Sequence, residues 1–515
     1  MSGSYVPVLQ AALARIDTGL AGDPSPELLI ERAQLLAVLG RTDEALNQYA
    51  AVLTNEPSHL EALTAVGTLL LGRGQAELAR TFLCAAIARD PGHAPALANV
   101  GCFELLGGRL DAAGRAFEAA LRIDPTLPLA HRGLGDIAQR RGDAAATALH
   151  RERSRCCRPL TTSQYIGAGP PLSVLALSTT ACGNIVTDQF FDNRVVLLSS
   201  LAVDQADSAT PLPPHDLVFN TISDADLCSA ELATAAAIVG RSSAPVINHP
   251  AAVAATGRAA NARRLAGLEG VAAPRIRPVR RADLTGPRGA AFIAERGFDF
   301  PLLVRTPGFH RGAHFVKVDA VQDLSGAVAP LPGDVLLLIE FLDTRDADGL
   351  LRKHRVIIVD GQLYPVHLAI SRHWKVHYFS ADMEARAEHR AHDAAFLADM
   401  ERTLGSAAVA ALGQIAATLD LDYGGIDFAI DRLGRVAVFE ANAAMVAALP
   451  NADACWNYRR APIRRIRGAV RAMIRRRASG LPRAAVNGQA ATADGSRQTF
   501  NDDAGGVLLR RSLGC

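Results

Sequence analysis

The sequence predicts a multidomain protein: an all-α solenoid of helical repeats, then an α/β domain, then an α+β domain. Three observations carry this. Residues 26–150 repeat with a period of 34. Residues 171–275 alternate short, continuous apolar runs with alanine-rich helical stretches. Residues 422–445 read as a hairpin that gathers two acids and an amide on one face. A chain of 515 residues exceeds what one core supports and divides on expectation into about two to four domains. With 49% hydrophobic residues, 21% charged residues and a net charge of +2, nothing global argues for nucleic acid. The start, MSGSYVPVLQAALARID, lacks a basic leader joined to an apolar run, so no signal peptide is expected. No run of about 18 apolar residues occurs, so no membrane span is expected. Eight cysteines lie scattered, Cys156-Cys157 adjacent and Cys515 last, without C-x-x-C spacing. Reduced thiols in a cytoplasmic protein are the expectation, and nothing opposes a homodimer.

The repeat is carried by four columns at the same interval: Pro57, Pro91 and Pro125; Gly67, Gly101 and Gly135; Ala45, Ala79 and Ala113; Tyr49, Leu83 and Phe117. Gly67 and Ala79 allow the two helices of one hairpin to approach. Leu83 or Phe117 fills the space between hairpins, and each proline stops a helix before the next begins. This pattern resembles the tetratricopeptide (TPR) repeat. It implies three full repeats and a degenerate fourth over Pro128–His150, with Thr147 where alanine is expected, in a domain covering 1–150. Tyr5–Gly19 supplies a capping helix. Stacked repeats leave a concave groove, so a peptide or protein partner is expected there. The basic stretch Arg151–Arg158 runs into TTSQYIGAGPP, which places a linker at 151–170.

In 171–275 the apolar runs are LSVLALS (172–178), RVVLLSS (194–200), DLVFN (216–220) and PVINHP (245–250). With a helix at Ala230–Gly240, they predict a parallel, doubly wound sheet. A further helix, Arg258–Leu268, leads into Val271-Ala-Ala-Pro274.

In 276–450, Phe300–Arg305, the loop Thr306–Gly312 and residues 314–319 read as strand, glycine-bearing loop, strand. Gly308 and Gly312 would let backbone N–H groups close on phosphate oxygens. Arg305, Arg311 and Lys317 would add positive charge, although solvent is the default for Lys317. The run DVLLLIEFLD (334–343) is a buried strand whose Glu340 needs a partner. Arg355 opens the next strand, Asp360-Gly361 makes a turn, and a second strand follows. Ser371–His377 then clusters Arg372, His373 and Lys375, either an anion site for substrate or an exposed charged loop. Two helices span 382–421. His389 and His392 share a face near Asp393 and read as a solvated face rather than a metal site. In Asp422–Met445, strands Ile426–Ile430 and Arg435–Ala441 flank Asp431–Gly434. An unbulged loop sets Asp427 opposite Val438, and Val438, Glu440 and Asn442 share its face. Such hard oxygens suit Mg²⁺. After Asn451, a basic amphipathic segment runs from Arg459 to Arg477, expected to pack on its own domain. The tail from 479 to 515 lacks periodicity and reads as disordered.

The order of these pieces over 171–450 resembles the ATP-grasp carboxylate–amine ligases, of the glutathione synthetase-like and ribosomal-protein-modifying kind. The resemblance implies a pre-ATP-grasp α/β domain at 171–275 and an ATP-grasp domain at 276–450. A basic helix would follow at 451–478. The implied nucleotide-binding residues are Arg258, Arg305, Gly308, Gly312, Lys317, Glu340, Phe341 and Leu342. At both Arg258 and Arg305 the family has lysine, and arginine differs in reach and geometry. Asp427, Glu440 and Asn442 would hold Mg²⁺ or Mn²⁺, while Arg305 and Arg355 would steady the phosphates and an acyl-phosphate. ATP, a carboxylate and an amine are the implied substrates, joined as an amide with release of ADP and phosphate. On this expectation, removing residues 1–150 cripples peptide turnover yet spares ATP binding. The rival reading is an adaptor that binds nucleotide without ligation.

Overall fold

The computed structural model describes residues 6–22, 25–38, 41–141, 143–154, 159–163, 165–180, 183–187, 189–206, 210–309, 312–376, 381–450 and 453–481. The expected tail beyond 481 lies outside the described residues, as do Arg311, His377 and the Cys156-Cys157 pair.

Nine helices among the described residues build the N-terminal array. They are α1 (Val6–Gly22), α2 (Pro26–Val38), α3 (Thr42–Asn55), α4 (Leu60–Gly72), α5 (Ala76–Arg89), α6 (Ala94–Leu106), α7 (Leu110–Ile123), α8 (Pro128–Arg141) and α9 (Ala144–Arg153). Pro57, Pro91 and Pro125 each fall in a connection between two helices, where a missing N–H costs nothing. A Cβ on Gly67 would lie 2.6 Å from Leu83 Cγ, and one on Gly101 2.6 Å from Phe117 Cε1. Only glycine therefore lets α4 meet α5, and α6 meet α7, at this separation. Leu83 accordingly fills space within the hairpin α4–α5. Phe117, with no exposed surface, also reaches Gly133 on α8 and so joins one hairpin to the next. The degenerate fourth copy folds as the hairpin α8–α9.

The remainder holds fourteen strands among the described residues: β1 (Leu160–Thr162), β2 (Leu172–Ser178), β3 (Val196–Ala202), β4 (Leu217–Asn220), β5 (Val246–Ile247), β6 (Val271–Ala272), β7 (Ile276–Arg280), β8 (Leu302–Arg305), β9 (Phe315–Val318), β10 (Val335–Glu340), β11 (Leu351–Val359), β12 (Gln362–Ser371), β13 (Tyr423–Ile430) and β14 (Val436–Asn442). They form three sheets ordered β1-β3-β2-β4-β5, β7-β10-β8-β9 and β12-β11-β13-β14-β6. In the first sheet β3, β2, β4 and β5 run parallel, as their apolar runs predict. Its antiparallel edge strand β1 lies inside the stretch expected to be a linker. Alternation of Leu160 with polar neighbours was too short a signal to mark it. Strand β6, in the passage that follows the helix Arg258–Leu265, pairs in parallel with β14 of the third sheet.

Arg355, expected to open a strand, is the fifth residue of β11, paired with Asp427 on one side and His367 on the other. The turn at Asp360-Gly361 has φ of 52° and 80°, the left-handed pair that a two-residue hairpin loop requires.

The basic C-terminal helix Arg460–Ala478 wedges between the first and third sheets. Ile463, Ile466, Val470, Met473 and Ile474 are buried against Leu217 and Phe219 of β4 and Ile357 and Val359 of β11. Arg476 and Arg477 pair with Asp360 and Asp422. No helix among the described residues is long and apolar enough to cross a membrane. The face carrying His389 and Asp393 is not solvated, contrary to expectation. Both residues are buried, while His392 is exposed. Asp393 accepts from the Leu368 N–H (2.7 Å), Tyr458 Oη (2.5 Å) and Arg459 Nε (2.7 Å). It thereby ties the helix Ala387–Ala398 to β12 and to the start of the C-terminal segment.

Removing the ring that joins two hairpins leaves a cavity the array cannot close. Phe117→Ala is expected to destabilise the array by about 3–5 kcal/mol, read as a lowered urea midpoint of its helical signal. Leu78→Ala, at a position 45% exposed, is expected to shift it by less than about 0.5 kcal/mol.

Candidate functional site

The third sheet presents a row of charges on one face. Its centre is the β13–β14 hairpin, whose register differs from the unbulged pairing expected. Ile430 lies opposite Val436 and Phe428 opposite Val438, but Asp427 lies opposite Glu440, and Gly425 opposite Asn442. Phe439 is the extra residue. A bulge of this kind turns the following side chains over. The loop is also one residue longer than expected, so Val438 faces the core with Phe428, not the face of Asp427, and is only 4% exposed, while the bulge turns Glu440 over. Glu440 comes directly across from Asp427 rather than diagonally, with Asn442 beyond it. The two acids and the amide do share a face, brought there by a device that alternation alone does not predict.

Each of these groups has a partner. Asp427 is 3% exposed and accepts from Arg355 Nε (2.6 Å), Arg355 Nη2 (2.9 Å) and Lys353 Nζ (2.9 Å). Burial pushes its carboxyl up, but Arg355 and Lys353 outweigh burial and hold it far below the usual carboxylate range. Glu440 is paired with Arg258 and accepts from Asn442 Nδ2 (2.8 Å). Asn442 Oδ1 accepts from the Ala444 N–H (2.9 Å). Arg258 opens the helix Arg258–Leu265, and its backbone N–H donates to Asp226 Oδ2 (3.2 Å). Arg258 is thus no surface arginine. Burial opposes its charge, and Glu440, Asp226 and Asp224 more than restore it.

Arg305 ends β8 and is 6% exposed. Burial and the charge of Arg258 lower its pKa to about 10, with Glu440, Asp224 and Asp226 acting the other way. It therefore stays cationic at neutral pH. Its Nη2 donates to the Phe309 carbonyl, while its buried Nε has no hydrogen-bond partner among the described residues. Gly308 and Gly312 adopt φ of 75° and 73° in the loop that follows. Lys375 donates to the Gly312 carbonyl (2.9 Å), and Trp374 packs edge-on to Phe315 at 5.3 Å. Burial, then Arg305, lowers the Lys375 pKa. Of the expected substrate cluster, Trp374 and Lys375 thus contact the β8–β9 hairpin, Lys375 while still exposed, and Arg372 and His373 are exposed. Lys317 is largely covered rather than solvated, paired with Asp319 and 4.7 Å from the Phe341 ring centre. Glu340 finds its partner in Arg275, through Nε (3.2 Å) and Nη2 (3.1 Å). Phe341 and Leu342 continue from β10 half-buried.

Arg258, Arg305 and Arg355 therefore converge with Asp427 and Glu440 where the second and third sheets meet the loop carrying Asp224 and Asp226. Sequence reasoning missed Lys353, Asp226, Arg275 and His367. Lys353 was legible, because two residues before Arg355 it must share that face. His367 lies across from Arg355, and burial, then Arg355, keeps its ring neutral. Asp226 and Arg275 sit in connections, where periodicity says nothing.

The donor set fits an anion readily: three arginines and a lysine, one arginine with an unspent buried N–H. Asp427, Glu440 and Asn442 offer oxygen ligands to a divalent ion, but here each carboxylate already holds a cationic side chain. No group of three or more His, Cys, Asp or Glu is placed to hold a metal among the described residues.

Residues 30–94 and 67–128 match the family model for the tetratricopeptide repeat, and the N-terminal helical region carries such repeats, followed by a mixed α/β region. Among solved structures, MamA from Desulfovibrio magneticus is 27% identical over 28% of this chain and 83% of its own, at a TM-score of 0.25. A thermophilic TPR protein in Thermus thermophilus is 22% identical over 29% of this chain and 82% of its own, at 0.27. A tetratricopeptide repeat protein from Parabacteroides merdae is 26% identical over 28% of this chain and 58% of its own, at 0.26. No curated protein matches the chain.

Because the folded pKa of Asp427 is depressed, its stabilising contribution is complete above the ordinary carboxylate value of about 3.9 and is lost as pH falls below it. Asp427→Asn leaves Arg355 and Lys353 without their counter-charge and is expected to cost about 3–5 kcal/mol near neutral pH. Urea midpoints measured near neutral pH and at about pH 3 should show the variant losing less stability on acidification than the wild type.

Proposed function

We propose that residues 171–450 form an ATP-grasp-type ligase that uses ATP and a divalent cation to join a carboxylate to an amine. The convergence of Arg258, Arg305 and Arg355 on the Asp427–Glu440 pair supports the reading most directly. Three buried or half-buried guanidinium groups in one cluster are costly without anions to face. Phosphoryl transfer needs just such groups around its developing charge. Arg305 would take phosphate oxygens through its free Nε, and Arg355 would steady the phosphoryl group passed to the substrate carboxylate. Asp427, Glu440 and Asn442 would hold Mg²⁺ or Mn²⁺, which would neutralise phosphate charge. The glycine loop and the Trp374–Lys375 segment would cover the site and exclude water. His367, neutral and beside Arg355, would leave the local charge to the arginines. The repeat array would present a peptide or protein carrying one of the groups to be joined.

A second reading, a nucleotide-binding adaptor without ligation, draws on one observation: Arg258 already neutralises Glu440. A coupled assay for ADP separates the two. The ligase reading expects ADP release to depend on added carboxylate and amine, and Glu440→Gln to lower it by about 10²–10³-fold. Nucleotide binding with no ADP under any carboxylate would leave the adaptor. No binding of ATP at all would end both.

A further inference from the structure

The loop between β8 and β9 is not a free flap. Phe309, near its tip, is 1% exposed and belongs to the same hydrophobic cluster as Leu105, Leu110, Phe117 and Ile137 of the helical array, and a Cβ on Gly108 would lie 3.7 Å from its ring. The Arg140 guanidinium of α8 lies 5.0 Å from the Phe309 ring centre, close enough for a cation–π contact. His314 Nε2 stands 2.9 Å from the Gly108 carbonyl between α6 and α7. Gly108 has φ of 74°, and a Cβ there would lie 2.9 Å from Ala313 Cβ. Gln139 of α8 donates to the Leu227 carbonyl (2.9 Å), one residue after Asp226. These contacts come from three successive elements of the array and reach both loops that border the candidate site.

The same residue closes the chain of contacts inward. The Phe309 carbonyl accepts from Arg305, whose guanidinium is otherwise buried beside the Phe315 ring at 5.3 Å. Withdrawing the Phe309 ring from the array would move that carbonyl and release Arg305. We infer that Phe309 is a positioning residue: the repeat array, by enclosing its ring, holds Arg305 and the glycine loop in the arrangement that receives phosphate. This rests on the proposed nucleotide site. It runs against the expectation that removing the array spares the site, since removal would uncover Phe309. Coupling of this kind is reciprocal, so nucleotide at the site steadies α6–α8, and whatever orders α6–α8 strengthens the site.

The experiment uses the full chain. Hydrogen exchange without ligand first compares the wild type with Phe309→Ala. Faster exchange across 302–318 in the variant is expected, and unchanged exchange there overturns the inference whatever the site binds. ATP with Mg²⁺ is then titrated by calorimetry. Phe309→Ala is expected to weaken binding about tenfold through lost preorganisation, and Phe309→Leu to recover most of it. Tyr49→Ala, which weakens the array two hairpins away, should leave affinity unchanged. Tighter binding by Phe309→Ala, or equal loss in Tyr49→Ala, would overturn it. Should the wild type fail to bind ATP while Phe309→Ala still frees the loop, the nucleotide reading falls and the positioning of Arg305 stands.

Discussion

A charge taken out of water must meet its opposite inside the protein, and that constraint orders the C-terminal two-thirds of this chain. Asp427, Asp393 and Asp422 are each nearly or fully buried, and each is answered by arginine from a different element. Arg355 comes from the neighbouring strand, Arg459 and Arg477 from either end of the C-terminal helix. The latter two act as locks, because their acids lie in the helix Ala387–Ala398 and at the start of β13. A helix rich in arginine, which in isolation suggests a membrane surface or nucleic acid, is here a wedge that fits only where acids await it. Its apolar stripe supplies the gross energy of docking. The ion pairs fix where along the sheets it settles, since an unmatched buried charge is far costlier than a misplaced methyl.

The same constraint distinguishes the two halves of the molecule. The array has almost no buried charge and is held by shape, with glycine opposite Leu83 or Phe117 at one fixed interval. Shape of that kind repeats, so it leaves a period in the sequence. The α/β half is held by unique pairings that occur once each, so it leaves none. Where the two halves meet, the array's shape rule is applied to a foreign side chain: Phe309 occupies its core as though it were another repeat residue.

This explains what was legible and what was not. The hairpins of the array, the parallel order of β2 to β5 and the hairpin β13–β14 follow from periodicity, continuous apolar runs and turn chemistry. Asp427, Glu440 and Asn442 fall on one face as expected, yet Val438 does not, because the loop before it has five residues rather than four and the bulge at Phe439 then inverts the alternation between it and Glu440. Nothing in Val436–Asn442 announces an extra residue. A three-residue edge strand such as β1 lies below the length at which alternation can be recognised. Partners separated by more than a hundred residues, such as Arg258 with Glu440 or Gly108 with His314, carry no local trace. Glu340 is instructive. The need for a partner was readable from its apolar run, but Arg275 could not be singled out among the arginines that precede it.

The balance of charge at the site also limits what can enter it. Arg258, Arg305, Arg355 and Lys353 face Asp427, Glu440, Asp226 and Asp224 within one cluster, so the site is close to neutral, with Arg258, Arg355 and Lys353 paired to carboxylates and Arg305 donating to a backbone carbonyl. An anion held by more than Arg305 would have to draw Arg258 or Arg355 away from its carboxylate, leaving Glu440 or Asp427 without a counter-charge at a cost of several kcal/mol. A bare cation would have the converse problem, displacing Arg258 or Arg355 with nothing to receive them. An anion that arrives with its own divalent cation escapes both penalties. The cation takes over the carboxylates, the released guanidinium groups turn to the anion, and every buried charge exchanges one partner for another. In the ligase proposed above, a polyphosphate carrying Mg²⁺ would meet that condition, whereas an isolated metal ion would not. On the proposed reading, the paired state of Asp427 and Glu440 is the form in which a site for a metal–phosphate complex would rest.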